Sequence, residues 1–352
     1  MQILYITYTD MGAGASGSVL RPQKMYEAFL KEGHEVKLLS GGQESANKEK
    51  RLAAVREINL WLDDNRPDIC YIESPVYPIL WSADRKLLRR IHAMGIPTGY
   101  YYRDFHRRFP ELFPRRKGVV SGLKELWLDH CQRQTDRVLR EMDIIFLPTE
   151  RCKALFSYRD MRTLPPAGED RLSGEGTEDN TCIYVGGISR TYNGGLLLDA
   201  FDRLNATGKT YRLILVCREN EWTRFEHPCK TRPWLEVHHV SGDDLIPLYR
   251  RACASMAIYD GNAYADLAVS VKIYEYLSYG LPIVVGGSKS MEELVTELGC
   301  GVCADCTPEK IASAVERVID NRDSFAKAAG NALVHGNLWV HRVRQIVSDL
   351  KK

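Results

Sequence analysis

Residues 270–285 read SVKIYEYLSYGLPIVV. The stretch predicts a helix closed by a glycine cap at Gly280, a proline just beyond it at Pro282, and then a buried strand over Ile283 to Val285. Before and after it, short apolar runs alternate with longer amphipathic segments along almost the whole chain. Strand candidates are Ile3 to Thr7, Val36 to Leu39, Ile69 to Ile72, Thr98 to Tyr101 and Ile144 to Leu147, with helical periodicity between them over Val19 to Lys31 and Lys50 to Asp63. A second series runs through Thr181 to Val185, Leu213 to Cys217, Leu235 to Val240 and Ser255 to Tyr259. Parallel strands need such crossovers, so both halves are read as doubly wound α/β sheets. Two Rossmann-like domains in tandem are expected to face each other across a cleft, with ligands in the loops that follow strands.

The chain has 352 residues, which suits two domains better than one core. The run 166–180 is acidic, rich in glycine and poor in apolar residues, and is read as a linker. The expected division is therefore 1–165, the linker 166–180, a second domain over 181–334, and a final helix within 335–352 that packs back on the first domain. Lys and Arg total 48 against 46 Asp and Glu, a net charge of +2 that supplies no extended footprint for nucleic acid. The opening MQILYIT enters directly as a strand, and no apolar run approaches the ~20 residues needed to cross a bilayer. Ten scattered cysteines without a secretion signal are read as reduced thiols, which places the expected localisation in the cytoplasm, with the inner face of the membrane as an option.

Three motifs bear on chemistry. Gly12, Gly14 and Gly17 fit G-x-G-x-x-G before a helix, a spacing that suits phosphate at a helix N-terminus. Four residues separate the strand from Gly12, however, and no acidic residue ends the second strand at Leu39–Gly41, which weakens a nicotinamide reading. A plain turn, and a loop whose backbone amides approach a phosphate or an acceptor, stay open beside it. Lys272 and Glu275 stand three residues apart on the helix predicted above and face nearly the same way. They form either a surface ion pair or a carboxylate for ribose hydroxyls with a cation beside it for phosphate. Cys300, Cys303 and Cys306 form CxxCxxC, but no fourth ligand is close, so structural cysteines are expected and no metal.

These pieces, in this order, resemble the GT-B glycosyltransferases, in particular the family-four-like group also called glycosyl transferases group 1. The resemblance rests on the opening with GAGASG and Gly33-His34-Glu35-Val36, on YVGGISRTYNGGLLLDAF from Tyr184 to Phe201, on Glu275 followed by GLPIV, on GCGVCADCTPEKIASAV from Gly299, and on LWVHRV around Trp339. It implies that Glu275 contacts the donor ribose and that Gly186 and Gly187 open the nucleotide-sugar domain. Two departures stand out. The family's usual sugar-binding Glu, eight positions before the ribose Glu, is Leu267 here, with Asp266 adjacent and Asp260 further back. The family's diphosphate-binding Arg and Lys are replaced by Gly187 and Tyr192, leaving Arg190, Lys272 and Arg218 as the cations for that role.

Glycosyl transfer needs stabilisation of a departing nucleoside diphosphate, which fixed cations and backbone amides supply without a metal or other cofactor. The run YYRDFHRRFPE from Tyr101 follows the fourth strand, so Asp104 and His106 are candidates to act on the acceptor hydroxyl or to position the sugar. Arg103, Arg107, Arg108, Arg115, Arg116 and Lys117 are interleaved with Phe105, Phe109 and Phe113. This 103–117 segment is either an ordinary solvated loop or a contact with an anionic membrane surface, which suits a lipid-linked acceptor. The expected reaction moves a hexose-type sugar from a UDP- or GDP-sugar to a glycan or lipid-linked acceptor in polysaccharide or glycoconjugate biosynthesis, with retention as the resemblance implies. The rival readings are a nucleotide-sugar epimerase on the same fold and a non-catalytic nucleotide-sugar binding module.

Overall fold

The computed structural model describes residues 1–11, 17–114, 118–172, 177–189 and 192–351. The chain divides into two units: unit 1 is Met1–Pro165 with Trp339–Lys352, and unit 2 is Pro166–Leu338. Unit 1 holds strands β1 (Gln2–Thr7), β2 (Glu35–Leu39), β3 (Ile69–Glu73), β4 (Thr98–Tyr101), β5 (Ile144–Leu147) and β6 (Met161–Thr163). Its helices are α1 (Gly17–Lys31), α2 (Lys48–Asp64), α3 (Ser82–Ala93), α4 (Val119–Leu139) and the last helix of the chain, α12 (Trp339–Leu350). Unit 2 holds β7 (Thr181–Val185), β8 (Arg212–Val216), β9 (Leu235–His238), β10 (Ala254–Ile258), β11 (Ile283–Gly286) and β12 (Gly301–Cys303). Its helices are α5 (Gly194–Asn205), α6 (Glu219–Arg224), α7 (Ile246–Arg251), α8 (Val271–Ser278), α9 (Lys289–Leu298), α10 (Pro308–Asp320) and α11 (Arg322–Val334).

The sheet of unit 1 has the order β2-β1-β3-β4-β5-β6, and that of unit 2 the order β12-β11-β10-β7-β8-β9. Neighbouring strands pair in parallel throughout. A parallel sheet covered by helices on both faces needs apolar side chains on both, which is why β1, β3 and β5 are mostly apolar and, Gln2 apart, buried. Strand order reverses between β1 and β3 in unit 1 and between β7 and β10 in unit 2. At such switch points the loops leaving two neighbouring strands diverge and open a crevice. Among the described residues no helix is long and apolar enough to cross a membrane.

Two buried arginines knit the loop ends of unit 1. Arg51 pairs with Asp84 at 2.8 Å and donates to the carbonyls of Thr7 and Gly41, at the ends of β1 and β2. Arg21 pairs with Glu73 at 3.1 Å and lies 3.6 Å from the centre of the Tyr101 ring. It also donates to the Pro165 carbonyl, which accepts a second bond from Arg342 on α12. The acidic run after Pro165 belongs to unit 2 by its bonds. Gly168 N–H donates to the Asn337 carbonyl, and Glu169 N–H to Ser278 Oγ on α8.

Candidate functional site

In unit 2, β7 and β10 pair only at Cys182–Ala254 and Ile183–Ser255, and beyond that register they part. Tyr276 on α8 fills the gap. Its hydroxyl accepts from Val185 N–H at 3.3 Å and donates to the Met256 carbonyl at 3.0 Å, replacing the missing rungs of the ladder. Asn193 ties the two loops beyond, donating from Nδ2 to the Tyr259 carbonyl at 2.6 Å. The crevice that opens there is lined by the ends of β7, β10 and α8.

Into it projects Lys272, from the first turn of α8, where Ser270 Oγ caps the helix by accepting from Lys272 N–H. The side chain is buried yet makes no ion pair among the described residues. Its ammonium lies 4.6 Å from the centre of the Tyr184 ring, 5.3 Å from Tyr192 and 5.4 Å from Tyr259. Three ring faces supply the negative quadrupole that a carboxylate would otherwise supply. Burial pulls the lysine pKa down to about 8, against the opposing influence of Tyr192 and Glu275. Gly186, at φ +146°, closes the box from below: a Cβ there would stand 2.6 Å from the Lys272 nitrogen. Only glycine lets the ammonium rest on the backbone at the end of β7.

One turn on, Glu275 stands beside the stacked rings of Tyr249 and Tyr279, whose centres are 4.6 Å apart. Tyr249 donates to Glu275 Oε2 at 3.4 Å. Burial raises the carboxyl pKa, with Lys272 and the Tyr249 hydrogen bond pulling it back. The carboxylate thus keeps most of its lone pairs uncommitted in a half-buried position, the condition for accepting a pair of hydroxyls.

The other residues that the sequence suggests for donor binding lie as follows. Gly187 packs under the Tyr192 ring, where a Cβ would come within 2.7 Å of ring carbons, and its carbonyl accepts from the Tyr184 hydroxyl. Arg218 is mostly exposed and pairs with Glu221 at 2.8 Å, and Glu221 in turn accepts from Ile188 N–H in the loop after β7. Asp266 is engaged at the start of α9, accepting from Lys289 N–H and pairing with the Lys289 ammonium at 3.2 Å. Arg190 lies outside the described residues, as do Gly12 and Gly14; Gly17 is the first residue of α1.

In unit 1, a cavity of about 210 Å³ opens beside the ends of β3 and β4. Asp104 and His106 both line it, with Tyr77, Tyr102, Gln132 and Asp136. Asp104 pairs with Arg103 at 3.1 Å, and the His106 ring meets Phe113 edge-on at 4.4 Å. The described part of the basic and aromatic 103–117 run is mixed, with Arg108 and Phe113 exposed. Phe105 and Phe109 are buried, and Arg107 is held by Glu125 at 2.9 Å and Asp129 at 2.5 Å. Arg115, Arg116 and Lys117 lie outside the described residues.

Cys300, Cys303 and Cys306 do not gather into a three-ligand group among the described residues. Such a group does occur at Asp199, His227 and Cys229, on α5 and the loop before β9. There His227 Nδ1 accepts from Cys229 N–H and Nε2 stands 3.3 Å from Asp199, so both ring nitrogens are already in use. What sequence reading missed at the donor crevice is its tyrosines. Tyr184, Tyr192, Tyr259 and Tyr276 stand at strand ends or on the helix behind them, a position that is a usable signal, but only the fold shows the first three rings converging on one ammonium.

Residues 179–321 match the sequence model of the family described as glycosyl transferases group 1. No curated protein sequence matches the chain. Solved structures of similar fold include a glycosyltransferase from Rickettsia africae ESF-5, at 12% identity and a TM-score of 0.69, covering 99% of this chain and 97% of that one. WaaG, a glycosyltransferase involved in lipopolysaccharide biosynthesis, aligns at 13% identity and a TM-score of 0.63 over 99% of both chains. The trehalose-6-phosphate protein from E. coli bound with UDP-2-fluoro glucose aligns at 11% identity and a TM-score of 0.61, again over 99% of both. Both units together have the GT-B fold of these proteins, and the match to the glycosyl transferases group 1 model falls on the unit that holds Lys272 and Glu275.

Proposed function

We propose that the protein transfers a hexose-type sugar from a UDP- or GDP-sugar to a glycan or lipid-linked acceptor, in polysaccharide or glycoconjugate biosynthesis, with retention at the transferred carbon and without a metal. The observation that carries this reading is the pairing of Lys272 and Glu275 on one face of α8, at the switch point of unit 2. Glu275 accepts the two ribose hydroxyls. Lys272 lies against the donor diphosphate and neutralises the charge that grows on it as the bond between the sugar's anomeric carbon and the phosphate oxygen breaks. The new bond forms between that carbon and the acceptor oxygen. The acceptor proton passes to the leaving phosphate, and the unit 1 cavity lined by Asp104 and His106 is the proposed place of the acceptor.

The fold neighbours support a uridine donor in one respect: the E. coli protein holds UDP-2-fluoro glucose. Calorimetric titration of UDP and GDP into the wild type and Glu275→Gln tests the assignment. The substitution keeps the shape and removes the charge, and is expected to weaken the preferred nucleotide by about tenfold to a hundredfold, the worth of hydrogen bonds to a charged group. Unchanged affinity would remove Glu275 from the donor site. Product analysis with the preferred sugar nucleotide then separates transfer from epimerisation, which needs no acceptor, and from binding without turnover.

A further inference from the structure

Helix α4 presents two faces of opposite character. Val120, Leu123, Leu126 and Trp127 recur at helical spacing on its outer side and are exposed by 82%, 65%, 65% and 43%. The same stripe continues toward the C-terminus as His130, Arg133 and Arg137, all exposed; the two arginines make no ion pair among the described residues. The acidic residues of the helix, Glu125, Asp129 and Asp136, lie on the opposite side. Glu125 and Asp129 hold Arg107, and Asp136 accepts from Gln132 at 2.9 Å. Asp129, Gln132, Thr135 and Asp136 also line the cavity that contains Asp104 and His106.

Soluble proteins rarely leave four large apolar side chains together in water, and a contiguous patch of this kind marks a docking surface. Charge selects the occupant. The apolar stripe runs on into the exposed Arg133 and Arg137, with Lys124 exposed beside it. A second copy docked antiparallel on this helix would set Arg133 and Arg137 of each against the apolar residues of the other, burying cations without anions. An anionic lipid surface satisfies both parts, taking the apolar side chains below its headgroups and the cations at their level.

We propose that the outer face of α4, from Val120 to Arg137, docks unit 1 on an anionic membrane surface. The bilayer then lies about one helix diameter, ~10 Å, from the cavity on the inner side of the same helix. If that cavity takes the acceptor, as the proposed function has it, an acceptor carried on a lipid reaches it from the surface on which the protein sits.

Co-sedimentation with phosphatidylcholine vesicles, with or without roughly one third phosphatidylglycerol, tests the docking on the whole chain. The wild type is expected to partition onto the anionic vesicles and to be released by salt. Leu123→Glu/Leu126→Glu and Arg133→Glu/Arg137→Glu are each expected to weaken that partition at least tenfold. The four side chains are exposed, so both variants should keep the wild-type melting temperature and nucleotide-induced thermal shift. Wild-type protein that stays in the supernatant with anionic vesicles overturns the proposal, as does a double variant that binds like the wild type. So does a wild-type dimer in sedimentation velocity that the leucine variant dissociates, since a second copy would then cover the face. Glu275→Gln gives the independent control. Vesicle binding without a nucleotide shift in that variant separates the fate of this surface from that of the donor site.

Discussion

Lys272 is an ammonium wrapped in tyrosine rings, and its titration carries a sign that can be measured. Its pKa in the folded protein is about 8, below the ordinary 10.5 of a lysine. Between those values the unfolded chain holds a proton that the folded chain has released, so the ligand-free protein gains stability as pH rises through that window. Below about pH 8 the full penalty of a buried, unpaired charge is present. A bound diphosphate requires the charged form. Its affinity should therefore be flat below about pH 8 and fall about tenfold per unit above it, as read by calorimetry across that range. Lys272→Met should flatten the profile, weaken nucleotide binding by one to two orders of magnitude, and stabilise the free protein by about 2 kcal/mol, because it removes the desolvated cation. A variant that loses both binding and stability would mean that the tyrosine box needs its lysine as a structural part.

At the scale of elements, α8 does more than display two side chains. Its Tyr276 hydroxyl substitutes for strand pairing where β7 and β10 part. Tyr276→Phe leaves a buried N–H and a buried carbonyl without partners, at a cost of about 3 kcal/mol, and widens the point from which the nucleotide loops spring. Chemical denaturation should show that loss, with a fall in nucleotide affinity that Phe at the exposed Tyr77, outside the crevice, does not reproduce. The helix was legible in sequence because its stop signals are local: Gly280 and Pro282 follow it directly within one stretch of sixteen residues. Helix α4 was not read out as an element. Val120, Leu123, Leu126 and Trp127 face water over its first half, so the pattern does not point to the core as an ordinary amphipathic helix does.

For the molecule as a whole, the chain leaves unit 1 after Pro165 and returns to it at Trp339. The returning helix α12 buries Trp339, Val343, Ile346 and Leu350, sends Arg342 to the Pro165 carbonyl, and pairs Arg162 with Asp349 at 2.6 Å. Four buried apolar side chains are worth about 2 kcal/mol each, and their sum is comparable with the whole stability of a domain. A chain ending at Leu338 should therefore fail to keep unit 1 folded. Limited proteolysis is expected to digest residues 1–165 rapidly and leave a fragment near 166–338. Equal resistance of both units would show that unit 1 holds without its last helix.

The alternation of apolar runs with amphipathic segments determined the doubly wound architecture, because hydrophobic periodicity is a short-range property and parallel pairing leaves few alternatives. The spacing of Lys272 and Glu275 likewise determined that they share a face, since three residues is nearly one helical turn. Only the tertiary structure decided what surrounds them. It brought tyrosines from positions 184, 192 and 259 onto one ammonium, set Arg218 against Glu221, and engaged Asp266 with Lys289. It also set Arg107 between Glu125 and Asp129. A charged side chain takes whichever partner the packed backbone brings within a few ångströms, and those partners lie across crossovers on which local sequence is silent.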